Sequence, residues 1–216
     1  MLLTEYPDTV IGKSPYLWAM QLAPSTAFPS EEVFKETIDV LRSGGIILYP
    51  TDTIWGIGCD ARNEQAVEKI FQLKRRAESK SLIVLIHQEG FLNKYVSEVP
   101  AIAWDLIEVT DKPLTIIYDK VGGLAPNVLA ADGSCGIRVC KEEFCNRLLH
   151  KFGKPIVSTS ANISGEPAPS NFYQISEEIR KGVDYIVDYR QEERATPEPS
   201  TIMRVRNNGE ITIIRP

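Results

Sequence analysis

The chain is poor in histidine, with only His87 and His150 in 216 residues. His87 follows an apolar run, and His150 lies late in a helical pattern, where a cation near the helix C-terminus is favourable. Neither lies close in sequence to a candidate nucleophile. We therefore expect surface or helix-end histidines, and chemistry that depends on a histidine base is disfavoured.

Cysteine is also scarce, since the chain contains only Cys59, Cys135, Cys140 and Cys145. The last three are five residues apart, which is not a spacing typical of zinc ligands, and no histidine lies close enough to complete a site. Disulfides are disfavoured in a chain that resembles a cytosolic protein. We predict four buried free thiols with a structural role.

Long apolar runs and an excess of positive charge are absent too. No window offers the ~18 consecutive apolar residues of a membrane span. The first residues, MLLTEYPDTVIGKSPYLWAM, lack the basic start and apolar run of a signal peptide. The formal net charge is -5, so no overall field attracts nucleic acid. We expect a cytoplasmic protein without membrane contact, in which any RNA contact needs a local patch.

Alternating strand and helix patterns fill most of the chain. A helix is predicted after Ser30, a buried strand at 46–49, a helix from Asn63 and a central strand at 82–86. Further strands are predicted at 114–118, 137–140, 156–158 and 185–188, and helices at 89–96, 101–109, 142–152 and 175–181. A hairpin with strands at 201–206 and 210–215 closes the chain through an Asn-Gly turn. The alternation predicts a single α/β domain with a mixed sheet over 30–216, preceded by an extension over 1–29.

Three polar stretches follow predicted strands: Pro50–Thr53, Ser158–Asn162 and Pro199–Thr201. Hydroxyls, an amide and backbone N–H groups suit phosphate oxygens and an amino-acid head group. Ser, Thr and Asn also populate turns because they bond their own backbone, and that explains any one stretch alone. Three such stretches beside a basic cluster favour ligand binding. Neither GxxxxGK[ST] nor GxGxxG occurs, so a nucleotide site here is not a Walker or Rossmann site.

The basic cluster comprises Lys74, Arg75, Arg76 and Lys80, at the end of the second predicted helix. Basic residues at a helix end also occur as a solvated face that complements the dipole. Lys74 and Arg76 are two residues apart and diverge on a regular helix. They converge on one ligand only if the helix ends near Arg75 and the chain turns there.

The motifs PTDT-x-x-G, K-x-R, STSAN-x-SG and PSTI occur in this order and closely resemble the YrdC/Sua5 (TsaC-like) family of threonylcarbamoyl-AMP synthases, over roughly residues 30 to 216. The resemblance implies a YrdC-like twisted mixed sheet with flanking helices and a concave ligand groove. It implies a reaction of L-threonine, bicarbonate and ATP that gives threonylcarbamoyl-AMP and pyrophosphate, for modification of adenosine 37 in tRNA. It also implies Mg²⁺ held mainly by phosphates, with no certain protein ligand, and a downstream threonylcarbamoyl transferase.

The resemblance carries site residues with it. Its catalytic positions fall on Lys74, Arg76, Ser160 and Asn162. Its ATP contacts fall on Arg76, Lys80, Ser134, Ser160, Asn162 and Arg215, and its threonine contacts on Thr53, Arg138, Ser158 and Ser200. The planar fork of Arg138 suits the threonine carboxylate.

Rival interpretations come from the same fold family. One is an RNA-binding YrdC/YciO-like paralogue without synthase activity, and the intact K-x-R and S-x-N motifs favour the synthase over it. A weak contact with tRNA or double-stranded RNA stays open, although the acidic balance argues against strong affinity. The segment Thr110–Thr115 departs from the WPGPLT that the family often has, next to the expected nucleotide site.

Overall fold

The computed structural model describes residues 28–76, 82–194 and 198–216. Lys80 and residues 1–27 of the predicted N-terminal extension lie outside the described residues. Within them, no helix is long and apolar enough to cross a membrane.

Among the described residues, nine strands form one mixed sheet, in the order β7-β1-β2-β6-β3-β5-β4-β8-β9. Their bounds are β1 Ile47–Tyr49, β2 Gly56–Asp60, β3 Ile83–Ile86, β4 Leu114–Tyr118, β5 Cys135–Val139, β6 Ile156–Ser160, β7 Tyr185–Ile186, β8 Thr201–Val205 and β9 Ile211–Arg215. The pairs β7/β1, β3/β5 and β4/β8 are parallel, and the other neighbours are antiparallel. The predicted mixed α/β sheet is confirmed, with β3 at its centre as its continuous apolar pattern indicated.

In the described part of the chain, five α-helices flank the sheet: α1 Glu31–Arg42, α2 Glu64–Lys74, α3 Ala101–Val109, α4 Glu143–Phe152 and α5 Glu177–Gly182. Short 3₁₀ turns occupy 89–94, 126–128 and 172–174. The two predicted N-caps are present, because the Ser30 hydroxyl accepts from the Val33 N–H and the Asn63 side chain accepts from the Ala66 N–H. These caps fix where α1 and α2 begin.

The two faces of the sheet carry different cores because strand side chains alternate. Ile46 and Leu48 pack into the larger core, with α2 and α5. Ile47 and Tyr49 point the other way, into a smaller core with α1 and α4. The smaller core covers the β1 end of its face, which leaves the rest of that face for a cavity.

One strand was not predicted. The stretch from Gly56 to Asp60 forms β2, which pairs with β1 and β6. Its sequence, GIGCD, contains two glycines and lacks the β-branched alternation typical of a strand. The prediction ended a strand at Ser158 and placed Thr159 and Ser160 in a loop, and this was wrong: both belong to β6 and pair with β2.

The four thiols are buried and free, as predicted. The His87 and His150 rings lie 5.3 Å apart between their centroids. His87 is half-buried and His150 is exposed.

Candidate active site

A cavity of about 370 Å³ opens on the face of the smaller core. Seven adjacent strands contribute to it, from β2 to β9. Its lining comprises Ile54, Gly56, Arg76, Leu82, Ile83, Thr115, Ile117, Gly136, Arg138, Ser158, Thr159, Ser160, Pro199, Ser200, Ile202, Ile214 and Arg215. This is the concave groove that the resemblance implies.

Strand register explains why distant residues meet in the cavity floor. Arg138 pairs with Thr115, Thr115 pairs with Ile202, and Ile202 pairs with Arg215, across four successive strands. Gly136 lies two residues before Arg138 and so points to the same face. A Cβ at Gly136 would lie 3.2 Å from the Thr115 Cγ2 atom, so a side chain there would crowd the floor.

The end of α2 turns as the basic cluster requires. Arg75 adopts a left-handed conformation (φ 49°, ψ 40°) and closes the helix. Its own side chain is exposed and forms an ion pair with Glu178. Lys74 is thereby left inside the fold, and Arg76 lines the cavity. The two side chains of K-x-R therefore approach the same region from either side of the turn.

The Lys74 side chain is enclosed by the chain that follows β6. Lys74 is 1% exposed, and its ammonium donates to the carbonyl oxygens of Ser160 and Asn162, the latter at 2.6 Å. The Ser164 N–H in turn donates to the Lys74 carbonyl oxygen at 2.8 Å. Burial, with a smaller contribution from the charge of Arg76, lowers the pKa of Lys74 to about 8. Burial also lowers the pKa of Arg76.

The two residues of the S-x-N motif have different positions. Ser160 lines the cavity, whereas Asn162 lies behind it. The Asn162 amide donates to the carbonyl oxygens of Ile163 at 3.0 Å and Glu166 at 2.7 Å. Its Oδ1 atom is buried without a hydrogen-bond partner among the described residues. Asn162 thus shapes the loop that binds Lys74.

Arg138 is the central cation of the opposite end of the cavity. Its Nη2 lies 3.1 Å from the Asp52 Oδ1, and its Nη1 donates to the Thr53 hydroxyl at 3.4 Å. Thr53 is buried behind the guanidinium and shares a hydrogen bond of 3.0 Å with the Thr51 hydroxyl. The PTDT stretch therefore supports Arg138 from behind.

A second hydroxyl pair joins the floor to the last strand. The Thr115 and Ser200 hydroxyls are 2.9 Å apart, and both residues are buried. Arg215 donates from Nε and Nη2 to the Ser200 carbonyl oxygen, at 2.9 and 2.7 Å. Burial, and then the nearby charge of Arg138, lower the pKa of Arg215. Arg138 and Arg215 therefore share the cavity lining and repel each other.

The cavity brings together six of the predicted site residues: Arg76, Arg138, Ser158, Ser160, Ser200 and Arg215. Lys74, Thr53 and Asn162 lie behind its wall, in contact with it through the bonds described above. Ser134 is not part of the lining, and its hydroxyl donates to the Asp132 carboxylate at 2.6 Å. Lys80 lies outside the described residues.

Sequence reasoning did not single out Asp52 or Thr115 as site residues. Asp52 lies within the quoted PTDT motif, so a basic partner could have been sought for its carboxylate. Thr115 meets Ser200 only through strand pairing, for which the sequence holds no local signal. Both belong to the surroundings of Arg138.

The charge of the cavity is one-sided. Three guanidinium groups line it, from Arg76, Arg138 and Arg215, and no carboxylate does so among the residues that the structure describes. The whole chain, in contrast, carries a net charge of -5. Six aliphatic side chains share the wall: Ile54, Leu82, Ile83, Ile117, Ile202 and Ile214. Such a site suits a small polyanion that also has an apolar part.

Fold and site together define an α/β protein with a nucleotide-sized, cationic cavity on a mixed sheet. The Sua5/YciO/YrdC family model, described as telomere recombination, matches residues 39–216. The chain belongs to this family.

Individual proteins are also similar to the chain. A protein of Hahella chejuensis named threonylcarbamoyl-AMP synthase is 35% identical over 152 residues, which cover 70% of this chain and 83% of that one. The crystal structure of P. abyssi Sua5 complexed with L-threonine has a TM-score of 0.73 and 26% identity, over 83% of this chain and 52% of that one. This chain therefore spans about half the length of that Sua5 protein. E. coli YciO shares the fold, with a TM-score of 0.76 and 22% identity over 87% and 90% of the two chains.

Proposed function

We propose that this chain is a threonylcarbamoyl-AMP synthase, a nucleotidyltransferase that joins L-threonine, bicarbonate and ATP and releases pyrophosphate. The names of its relatives and the threonine bound to P. abyssi Sua5 support the proposal. The product would serve a downstream threonylcarbamoyl transferase in tRNA modification. We propose a cytoplasmic location, where ATP and tRNA are available.

The observation that carries the proposal is the set of three guanidiniums in a cavity lined by no described carboxylate. The reaction brings a triphosphate and a carbamate into one pocket, with about four or more negative charges. The main task of the protein is then to neutralise and align these groups. The aliphatic wall supplies a surface for the adenine ring.

The chemistry requires two bond-forming steps. The threonine amine attacks the carbon of bicarbonate, and loss of water gives a carbamate. A carbamate oxygen then attacks the α-phosphorus, and the bond to the pyrophosphate leaving group breaks. Arg76 neutralises the phosphate chain from the cavity wall. Lys74 places a positive charge behind it and holds the loop that presents the Ser160 hydroxyl.

The threonine end has a different set of groups. Arg138 pairs with the substrate carboxylate, for which its planar fork is suited. Ser158 and Ser200 lie in the lining at the same end and offer hydroxyls to the rest of the amino acid. Arg215, held by Ser200, adds a third charge for the nucleotide.

Mg²⁺ would supply further neutralisation of the phosphates when bound. Within 28–76, 82–194 and 198–216, no group of three or more His, Cys, Asp or Glu residues could hold a metal ion. A neutral oxygen is available in the lining, namely the Ser160 hydroxyl. The residues present therefore fit an ion held mainly by the phosphates, with neutral protein oxygens at most.

The test is pyrophosphate release from ATP by the purified protein, with L-threonine and bicarbonate each present or omitted. Release that needs both, with threonylcarbamoyl-AMP detected by mass spectrometry, is expected. Release that is indifferent to threonine would contradict the proposal. A salt-sensitive gel shift on tRNA, together with absent pyrophosphate release, would favour the RNA-binding paralogue instead.

A further inference from the structure

We propose that Asp52 is a positioning residue that orients the Arg138 guanidinium toward a substrate carboxylate, and thereby sets the preference for ligands that carry one. The inference rests on the proposed function, because it concerns the amino-acid end of the same cavity. It assigns a role to an acidic side chain that does not contact the cavity.

The Asp52–Arg138 pair is buried and lies between two cavities. The side chains are 11% and 4% exposed, and Asp52 Oδ1 lies 3.1 Å from Arg138 Nη2. Arg138 lines the first cavity, whereas Asp52 lines a second cavity of about 340 Å³ together with the segment from Thr110 to Leu114. Asp52 therefore acts on a ligand in the first cavity through Arg138 and not by direct contact.

One nitrogen of the Arg138 guanidinium has no described partner. Its Nη2 is in ionic contact with Asp52, and its Nη1 donates to Thr53. Its Nε is buried and has no hydrogen-bond partner among the described residues. A buried unpartnered donor is costly, and a carboxylate that binds along the Nε edge would satisfy it. The unpartnered atom thus indicates where a ligand acceptor belongs.

Asp52 is held firmly enough to orient its partner. The Thr51 hydroxyl donates to the Ile54 carbonyl oxygen at 2.8 Å and accepts from the Thr53 N–H at 3.0 Å. Arg190 donates to the Thr51 carbonyl oxygen at 3.2 Å. The residues on both sides of Asp52 are therefore fixed by hydrogen bonds, and the ionic contact with Arg138 is the one contact described for its buried Oδ1.

Positive charge on the far side makes this support necessary. Arg215 lines the same cavity as Arg138 and repels it. Without the Asp52 charge, the Arg138 side chain loses its only described acidic partner, while the repulsion remains. Its orientation for a planar, two-point contact with a carboxylate would then be lost, although its charge would stay.

The experiment compares the binding of L-threonine with that of L-threoninol, which lacks the carboxylate, by titration calorimetry. In Asp52→Asn we expect roughly tenfold weaker binding of L-threonine, because a charge-assisted contact is misaligned. The affinity for L-threoninol should stay within about twofold of wild type. Asp119→Asn is the matched control, because Asp119 pairs with Arg204 at 2.5 Å and lines neither of the two cavities.

A second variant separates positioning from a general structural role. In an Arg138→Lys background, Asp52→Asn should change L-threonine affinity by less than about twofold, because the fork it orients is already gone. A merely structural role would weaken L-threonine, L-threoninol and ATP alike in both backgrounds. That result, or L-threonine binding by Asp52→Asn at or above wild-type affinity, would overturn the inference. If wild type binds no L-threonine, the proposed function fails and the inference fails with it.

Discussion

The proposed nucleotide and amino-acid ends of the site hold their cations in different ways. At the nucleotide end, Lys74 donates to main-chain carbonyl oxygens of Ser160 and Asn162. At the amino-acid end, Arg138 is held by the side chains of Asp52 and Thr53. The Lys74 contacts depend on the path of the backbone, whereas the Arg138 contacts depend on individual side chains. The amino-acid end is therefore the one that a single side-chain substitution alters directly.

The largest effect is expected at the nucleotide end. Lys74→Ala and Arg76→Ala should each lower kcat at least about a hundredfold. Arg76→Ala removes a charged contact to the transition state, worth roughly 2–4 kcal/mol, and Lys74→Ala removes the buried charge that holds the Ser160 loop. Pyrophosphate release at saturating substrates measures this. Lys69→Ala is the matched control, since Lys69 lies on the same helix and donates to the Gly44 carbonyl oxygen at 2.9 Å. Near wild-type turnover in both variants would contradict the role assigned to K-x-R.

Arg138→Lys tests the amino-acid end. The substitution keeps the charge and removes the fork, so we expect the KM for L-threonine to rise roughly tenfold with a smaller change in kcat. Initial rates over a range of threonine concentrations at saturating ATP separate the two constants. Arg204→Lys is the control, since Arg204 pairs with Asp119 and Asp132 away from the cavity lining. A loss confined to kcat would mean that Arg138 serves the phosphates instead.

The lowered pKa of Lys74 predicts a pH dependence at the nucleotide end only. The side chain becomes neutral above about pH 8 in the free protein, so ATP binding should weaken by up to about tenfold per pH unit above that value. The unfolded side chain keeps its proton to about 10.5, so the free energy of unfolding should rise between pH 8 and 10.5.

Calorimetry of ATP binding at pH 7, 8 and 9 checks the first expectation. Lys74→Arg should abolish the dependence, because arginine keeps its charge. L-threonine affinity is not a substitute readout, since the amino group of the ligand titrates in the same range. An identical pH profile in wild type and Lys74→Arg would show that another group is responsible.

The smallest expected effect is that of substituting Arg75, which lies between Lys74 and Arg76 in the basic cluster. Arg75→Gly should raise the free energy of unfolding by about 0.5 kcal/mol, because glycine adopts the left-handed conformation without strain. The exposed ion pair with Glu178 contributes little. Urea denaturation measures the stability, and turnover should be unchanged. A loss of activity as large as that of Arg76→Ala would mean that Arg75 also faces the ligand.

Local sequence patterns predicted the ends of α1 and α2, because helix ends depend on residues close together in the chain. Ser30 and Asn63 identified the starts of α1 and α2 because a capping side chain bonds the backbone three residues away. The requirement that α2 end near Arg75 followed from helix geometry, and the left-handed Arg75 meets it. The same reasoning could not place β2, whose glycines are acceptable only because β1 and β6 pair with it from both sides.

Contacts across the sheet were beyond prediction from these signals. Thr115 and Ser200 meet because β4 pairs with β8, and the register of that pair is not written in either strand. Asp52 was visible as part of PTDT, yet its partner Arg138 lies 86 positions further along the chain. The motif order identified the family, whereas the contacts of each side chain required the folded sheet.

The seven-strand floor of the cavity has a consequence for how the protein acquires its activity. The lining begins at Ile54 and ends at Arg215 in the last strand, β9. Strands β1 to β7 can pair with one another while the cavity still lacks the side that β8 and β9 supply. The ability to bind substrate therefore requires the β8–β9 hairpin to dock onto β4. A bound nucleotide that contacts both Arg76 and Arg215 would then link the β8–β9 hairpin to the first half of the domain.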